Sequence, residues 1–170
     1  MKRLAIIDFD MTLFETFPGW VEGFPQIYLP LQSEKFQDEM DTNMKDVNLT
    51  DYIKKSCSSY LYKHSIPVIS RLSEQYEVIL MTFGHEGFQK MKVEASGISS
   101  LFSRVMYVAD RKADVVKNEF CGKYDEILFI NDNKTENLLM ANINPEVVVV
   151  EIDHLSDNGY TLENFYESLE

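Results

Sequence analysis

The chain has 170 residues, enough for one domain with a core of ordinary size, and its 45% hydrophobic content is typical of a globular protein. Its net charge of −12 argues against a protein that grips nucleic acid through the phosphates, because that mode needs a basic surface. Cys57 and Cys121 match no metal or redox spacing, the opening residues do not resemble a signal peptide, and no run could span a bilayer. We therefore expect a reduced, cytoplasmic protein that does not bind membranes.

The first predicted strand ends in two carboxylates. The apolar run Leu4 to Ile7 leads into Asp8 and Asp10, and Thr12 follows them. Residues i and i+2 of an extended chain project from the same face, so the two acids should converge on one spot. Close carboxylates repel each other, and a bound cation or acid–base chemistry is the usual reason for such a pair. The alternative structural interpretation is a turn built from Asp and Thr.

Residues 13–64 are predicted to form a mostly helical insertion without a strand of its own. Residues 13–31 are rich in aromatic residues, Pro and Gly, which indicates an irregular lobe. Ser33 is the predicted N-cap of a first helix, and a second helix is predicted from about Thr50. The apolar positions of the first helix are Phe36, Met40, Met44 and Val47.

From Ser65 onward the pattern alternates between helix and strand. The predicted strands are Tyr76 to Met81, Val105 to Val108, Ile127 to Ile130 and Val147 to Ile152. The predicted apolar face of the first helix of this part contains Ile66, Ile69 and Leu72, and the next helix is marked by Phe88, Met91 and Ala95. Gly97 is predicted to close the second of these helices, and Thr161 to cap the last helix of the chain. Apolar strands separated by helices predict an α/β fold, a Rossmann-like parallel sheet of about five strands with helices on both faces.

Polar residues follow the first four strands of the predicted sheet. The second strand ends in Thr82-Phe83-Gly84, the third is followed by Arg111-Lys112, and the fourth ends in Asn131-Asp132-Asn133. Ligands of open α/β sheets bind beyond the carboxyl ends of the strands, so these groups should meet in one crevice.

These residue types suggest phosphoryl transfer. Asp8 is ionised at neutral pH and could attack phosphorus, while Asp10 could protonate the leaving oxygen and then activate a water molecule. Mg²⁺ prefers oxygen ligands, which Asp8 and Asp132 could supply. Lys112 and Thr82 could bind the phosphoryl oxygens.

The run from Asp8 to Thr12 resembles the DxDxT first motif of the haloacid dehalogenase (HAD) superfamily of phosphohydrolases. Met81-Thr82-Phe83-Gly84 is similar to the second motif, Lys112 to the third and Asn131-Asp132 to the fourth, in the family's order. The resemblance implies that Asp8 is the nucleophile and Asp10 the general acid/base. It further implies that the segment Thr82, Phe83 and Gly84 binds phosphate together with Lys112. The implied Mg²⁺ ligands are Asp8, the Asp10 backbone carbonyl and Asp132.

The resemblance also implies a Rossmann-like HAD core of residues 1–12 and 65–170, with residues 13–64 as a small helical cap. The expected function is a Mg²⁺-dependent phosphatase acting on a small phosphorylated metabolite, such as a nucleotide or sugar phosphate. The retained acid at position 10 favours this over the family's dehalogenases, which lack it. The alternative is a catalytically weak phosphate-binding or regulatory protein.

The sequence departs from the family pattern at two positions. Met11 stands where the family often has Gly, and Asn131 where it usually has Gly or Asp. Glu136 and Asn137 both compete for the position beside the metal ligands. Lys117 is a rival of Lys112 as the phosphate-binding lysine, although it would lie a turn or more inside its helix.

Overall fold

The structure is a computed structural model that describes residues 1–16, 19 and 36–169. It contains one sheet of five parallel strands in the order β3-β2-β1-β4-β5. The strands are β1 (Arg3–Ile7), β2 (Glu77–Phe83), β3 (Arg104–Val108), β4 (Glu126–Asn131) and β5 (Val147–Glu151). The predicted α/β architecture is confirmed, and the first strand of the chain lies at the centre of the sheet.

Seven α-helices are described. They are α1 (Phe36–Asn43), α2 (Val47–Ser56), α3 (Ser65–Leu72), α4 (Glu86–Ser96), α5 (Lys112–Glu119), α6 (Lys134–Met140) and α7 (Leu162–Ser168). Short 3-10 turns cover Cys57–Tyr60 and Ser99–Leu101. No helix among the described residues is long and apolar enough to cross a membrane.

The central strand is buried on both faces, as its unbroken apolar run predicts. Ala5 and Ile7 pack into one cluster with residues of α3, α4 and α7. Leu4 and Ile6 pack into a second cluster with residues of α5 and α6. Helices on both faces bury β1 between β2 and β4, and residues that follow β1 therefore emerge at the middle of the carboxyl edge.

The described part of the insertion shares the core of the sheet. Leu49 and Ile53 of α2 are buried in the same cluster as Phe88 and Val93 of α4. Within residues 36–64 the structure contains helices and no strand, as expected. The predicted N-cap at Ser33 and residues 17, 18 and 20–31 of the aromatic lobe lie outside the described residues, and the division into core and cap stays a prediction.

Two predictions about helices were wrong in detail. The first helix ends at Asn43 and does not extend to Val47, because the Asp46 side chain accepts hydrogen bonds from the N–H groups of Asn48 and Leu49 and starts a new helix there. Ile66 is 48% exposed, and the inward face of α3 contains Val68 instead.

The helix marked by Phe88, Met91 and Ala95 is α4, on which Phe88 is buried and the other two are partly buried against the same cluster. Two end signals are confirmed. Gly97 closes α4 with φ of 82°, and Thr161 caps α7.

Candidate active site

A tight turn follows β1 and fixes the direction of the acidic residues. The Asp8 N–H donates to Ile130 O at 2.9 Å, which continues the pairing with β4. The Phe9 carbonyl then accepts from the N–H groups of Leu13 and Phe14 at 2.9 and 3.0 Å. Met11 has φ of 58°, in the left-handed region that glycine adopts most easily. This backbone requirement is the physical reason why glycine suits position 11.

Asp8 is buried between two donors. Lys112 Nζ lies 2.7 Å from Asp8 Oδ1. The Asn131 amide, in the orientation that satisfies both of its polar atoms, donates from Nδ2 to Asp8 Oδ2 at 2.9 Å. Burial raises the pKa of Asp8, and the Lys112 ammonium opposes that rise. Asn131, a departure from the family pattern, thus stabilises the carboxylate as a hydrogen-bond donor.

Lys112 is the first residue of α5 and is 2% exposed. Its ammonium also contacts Glu136 Oε2 at 3.1 Å. Burial lowers the pKa of Lys112, but the charges of Asp8 and Glu136 outweigh burial and raise it overall. Lys117 is exposed on the same helix, so Lys112 is the lysine that reaches the acids.

Glu136 and Asn137, the two candidates for the position beside the metal ligands, have different environments. Glu136 faces the Lys112 ammonium. Asn137 is buried and donates from Nδ2 to the backbone carbonyl of Asn131 at 3.1 Å. The side chain of Glu136 therefore belongs to the charged cluster, while Asn137 secures the end of β4.

Asp132 lies at the end of β4, beside Asp8. Thr12 Oγ1 donates to Asp132 Oδ1 at 3.4 Å, which links the turn after β1 to the end of β4. Burial and the negative charge of Asp8 raise the pKa of Asp132 to about 7. Asp8 and Asp132 repel each other because too little positive charge lies between them. A bound divalent cation would reduce this repulsion.

The residues at this edge fit Mg²⁺. No three His, Cys, Asp or Glu side chains form a metal-binding group among the described residues. Mg²⁺ does not need such a group, because it is usually bound by one or two carboxylates and keeps waters or phosphate oxygens as its other ligands. Asp8, Asp132 and the Asp10 carbonyl match that donor set.

Asp10 contacts a second lysine, which the sequence analysis missed. Lys92 Nζ of α4 lies 2.5 Å from Asp10 Oδ1, and Thr16 Oγ1 donates to the same oxygen at 2.5 Å. Gln89 Nε2 donates to Asp10 Oδ2 at 2.9 Å. Burial alone raises the pKa of Asp10, but Lys92 and then the other donors outweigh it and lower the pKa. Asp10 is therefore a carboxylate in this structure.

The second motif places the buried Thr82 hydroxyl at the end of β2 and a glycine, Gly84, close to Gln89. Thr82 is 1% exposed, and its Oγ1 has no hydrogen-bond partner among the described residues. The Phe83 carbonyl accepts from Gln89 Nε2 at 2.9 Å. Gly84 has φ of 135°, and a Cβ there would lie 3.1 Å from Gln89 Nε2. A glycine at position 84 thus allows Gln89 to reach both Phe83 and Asp10.

The histidines near the edge contact other protein groups. His85, which follows the second motif, accepts from Phe88 N and pairs with Asp41 of α1 at 2.9 Å. His154 stacks on Tyr62, with ring centroids 3.6 Å apart, and its Nε2 lies 3.3 Å from the Thr12 carbonyl.

The structure thus brings the sequence-predicted acids and Lys112 together at one edge of the sheet, with Thr82, Phe83 and Gly84 on the adjacent strand end. It adds Lys92, Gln89, Thr16 and Glu136 to them. The catalytic, substrate-binding and metal-binding roles stay predictions. A signal for Lys92 existed: it lies four residues after Phe88, on the apolar face of the helix, where a lysine needs a partner.

No protein-family model matches the sequence, and no curated protein matches it either. Solved structures do share its fold. A HAD phosphatase from Thermococcus onnurineus superposes with a TM-score of 0.69 at 14% identity, covering 99% of this chain and 98% of that one. A HAD hydrolase from Bacillus subtilis, solved bound to magnesium, gives 0.62 at 14% identity, covering 99% of both chains.

An L-2-haloacid dehalogenase from Xanthobacter autotrophicus is also similar, with a TM-score of 0.60 at 15% identity, covering 99% of this chain and 88% of that one. At such identities the likeness shows the fold alone. The predicted resemblance to the HAD superfamily is therefore confirmed for the fold, and the chemistry has to be argued from the residues of the site.

Proposed function

We propose that this chain, which has the fold of the haloacid dehalogenase-like hydrolases, is a Mg²⁺-dependent phosphohydrolase. Its substrate class is a small phosphorylated metabolite, such as a nucleotide or sugar phosphate. The observation that carries the proposal is the environment of Asp8, a buried carboxylate that a buried lysine contacts at 2.7 Å on one side and that Asp132 crowds on the other.

The first step assigned to the chain is attack on phosphorus. An oxygen of Asp8 forms a bond to phosphorus while the ester P–O bond breaks, which leaves an aspartyl-phosphate and an alcohol. The structure holds Asp10 as a carboxylate, so it takes up a proton from solvent before this step and then gives that proton to the departing oxygen. Lys112 and the unpartnered Thr82 hydroxyl supply positive charge and a hydrogen bond to the phosphoryl oxygens.

The second step hydrolyses the aspartyl-phosphate. Asp10 is now a carboxylate, the form held by Lys92, Gln89 and Thr16, and it takes a proton from the attacking water. The water oxygen forms a bond to phosphorus while the bond between phosphorus and the Asp8 oxygen breaks, which releases inorganic phosphate and regenerates the Asp8 carboxylate. Asp8, Asp132 and the Asp10 carbonyl would hold a Mg²⁺ ion, which would neutralise charge on the phosphate dianion.

Two observations bear on alternative functions. Asn131 places an amide where the family usually has Gly or Asp, which leaves one strong carboxylate ligand in this segment and favours a weakly catalytic phosphate-binding protein as the second candidate. A dehalogenase is among the structures of similar fold. The presence of Asp10 favours a phosphohydrolase over it, because only the phosphate ester needs a general acid for its leaving oxygen.

The test is phosphate release from a broad panel of phosphate monoesters, including p-nitrophenyl phosphate, with Mg²⁺ or with EDTA. We expect wild type to turn over only with Mg²⁺ and Asp8→Asn to lose turnover. Asp157→Asn, which removes one exposed acid, is the matched control and should stay active.

Three results would contradict the proposal, and each points to a different alternative. Turnover by Asp8→Asn at the wild-type rate would show that the nucleophile is wrongly assigned. An inactive wild type that still binds inorganic phosphate in calorimetry would favour the phosphate-binding candidate. Chloride release from 2-chloropropionate, in the absence of any phosphatase activity, would favour dehalogenation.

A further inference from the structure

Lys92 is a buried cation outside the four motifs. It lies on α4 and is 1% exposed, although lysine is among the residues least often buried. Its ammonium lies 2.5 Å from Asp10 Oδ1, while Lys112 contacts Asp8. Two different buried lysines thus contact the two carboxylates of the first motif.

Among the residues that the structure describes, three aromatic rings lie near the Lys92 ammonium. It lies 5.4 Å from the ring centre of Phe9, 5.6 Å from that of Phe14 and 5.0 Å from that of Phe88. Ring faces attract cations, and this attraction grows when water is excluded. Phe9 and Phe14 belong to the turn that contains Asp10, so the lysine is held by the same segment whose carboxylate it contacts.

Gln89 holds the other oxygen of Asp10. It lies three residues before Lys92, so both side chains project from one side of α4. Gln89 Nε2 donates to Asp10 Oδ2 and to the Phe83 carbonyl, both at 2.9 Å, which ties the carboxylate to the end of β2. With one oxygen on Lys92 and the other on Gln89, both oxygens of Asp10 are fixed by α4.

We propose that Lys92 is a positioning residue, which with Gln89 holds the Asp10 carboxyl group where it exchanges protons with the leaving group and with water. This inference rests on the proposed function. The competing interpretation is a buried ion pair that only stabilises the fold. The two differ in what they predict for substrates that need a proton on the leaving oxygen and for substrates that do not.

The kinetic test compares Lys92→Met with Lys90→Met, an exposed lysine on the same helix. General acid catalysis is worth about 10²–10⁴ in rate, and an alkyl phosphate needs it far more than p-nitrophenyl phosphate, whose leaving group is already a weak base. We expect Lys92→Met to lower kcat/KM for the best alkyl phosphate at least about tenfold more than for p-nitrophenyl phosphate. Lys90→Met should lower neither.

A double-mutant cycle tests whether Lys92 acts through Asp10. In the Asp10→Asn background, Lys92→Met should add no further selective loss on the alkyl phosphate, because the group that it positions is gone. Equal losses on both esters, or a selective loss that persists without Asp10, would assign Lys92 a structural role only. Gln89→Leu removes the other contact, so it tests the same selectivity if Lys92→Met does not fold.

A crystallographic comparison tests the positioning independently of turnover. We expect the Asp10 carboxyl group to rotate away from its wild-type position in Lys92→Met. An unchanged Asp10 position would overturn the inference even if the enzyme is active. If wild type hydrolyses no phosphate ester, the proposed function fails, and the position of Asp10 in the crystal still decides whether Lys92 places it.

Discussion

The charged side chain of Asp132 destabilises the metal-free protein. Replacing it with an uncharged side chain should therefore make that protein more stable. Its pKa is raised to about 7 from the ordinary value of 3.8, first by burial and then by the charge of Asp8. The perturbation is Asp132→Asn, which keeps the shape of the side chain and an oxygen that can accept from Thr12 Oγ1. It removes the charge that Asp8 opposes.

The size of the effect follows from the pKa shift. A pKa rise from 3.8 to about 7 corresponds to an upper limit of about 4 kcal/mol at neutral pH, since one unit is worth about 1.4 kcal/mol. Asp132 is only partly buried, and water screens the repulsion. We therefore expect Asp132→Asn to raise the free energy of unfolding by about 1–2 kcal/mol, or Tm by roughly 3–6 °C for a domain of this size.

The sign depends on pH. A carboxyl group whose pKa is higher in the folded protein than in the unfolded chain holds more protons when folded, so its contribution to stability falls as pH rises. For Asp132 this loss develops between about pH 4 and pH 7. The advantage of Asp132→Asn should accordingly be small at pH 4 and reach its full size above pH 7.

The assay is thermal and urea unfolding in EDTA across this pH range, with Asp157→Asn as a control that removes one exposed charge. Adding Mg²⁺ at pH 7.5 should stabilise wild type more than Asp132→Asn, because the ion binds the folded state through this carboxylate. The reasoning is refuted if Asp132→Asn gains no more than the control, or gains the same amount at pH 4 and pH 7.5.

Three further outcomes follow from backbone and burial. Met11→Val should lower the free energy of unfolding by about 1–2 kcal/mol in urea, while Met11→Gly should change it by less than about 1 kcal/mol, since residue 11 has φ of 58°. Gly84→Ala should reduce turnover, because its Cβ displaces Gln89 from Asp10. Burial lowers the pKa of His154, so wild type should lose stability relative to His154→Phe in thermal unfolding as pH falls below about 6.5.

The sheet and the strand ends could be predicted because their signals are local. Each strand is a short apolar run, and the residue type that follows it can be identified without knowing the packing. Asp8 and Lys112 were found in this way, and parallel pairing then brought their side chains to one edge. Helix boundaries in the insertion were harder, since Asp46 interrupts a run whose apolar spacing continues to Val47.

The second lysine could not be found from motif spacing, because its partner lies 82 residues away in the chain. Phe88, Met91 and Ala95 mark α4 in the sequence, but they do not show that Lys92 is buried on the same helix. Its burial depends on the packing of α4 against the turn after β1. The sequence shows that position 10 is an acid, but the orientation of its side chain is set by the tertiary structure.

The charges at this edge explain why stability and metal binding should be linked. Asp8, Asp10, Asp132 and Glu136 meet there, and the buried ammonium groups of Lys92 and Lys112 contact three of these acids directly. Asp132 is the acid without a lysine contact within this set, and it is the one whose pKa rises to about 7. In the metal-free protein a proton can relieve the repulsion, whereas a divalent cation would relieve it without protonating Asp8, the proposed nucleophile. Because negative charge exceeds positive charge at this edge, we expect it to bind the cation before it binds a phosphate dianion.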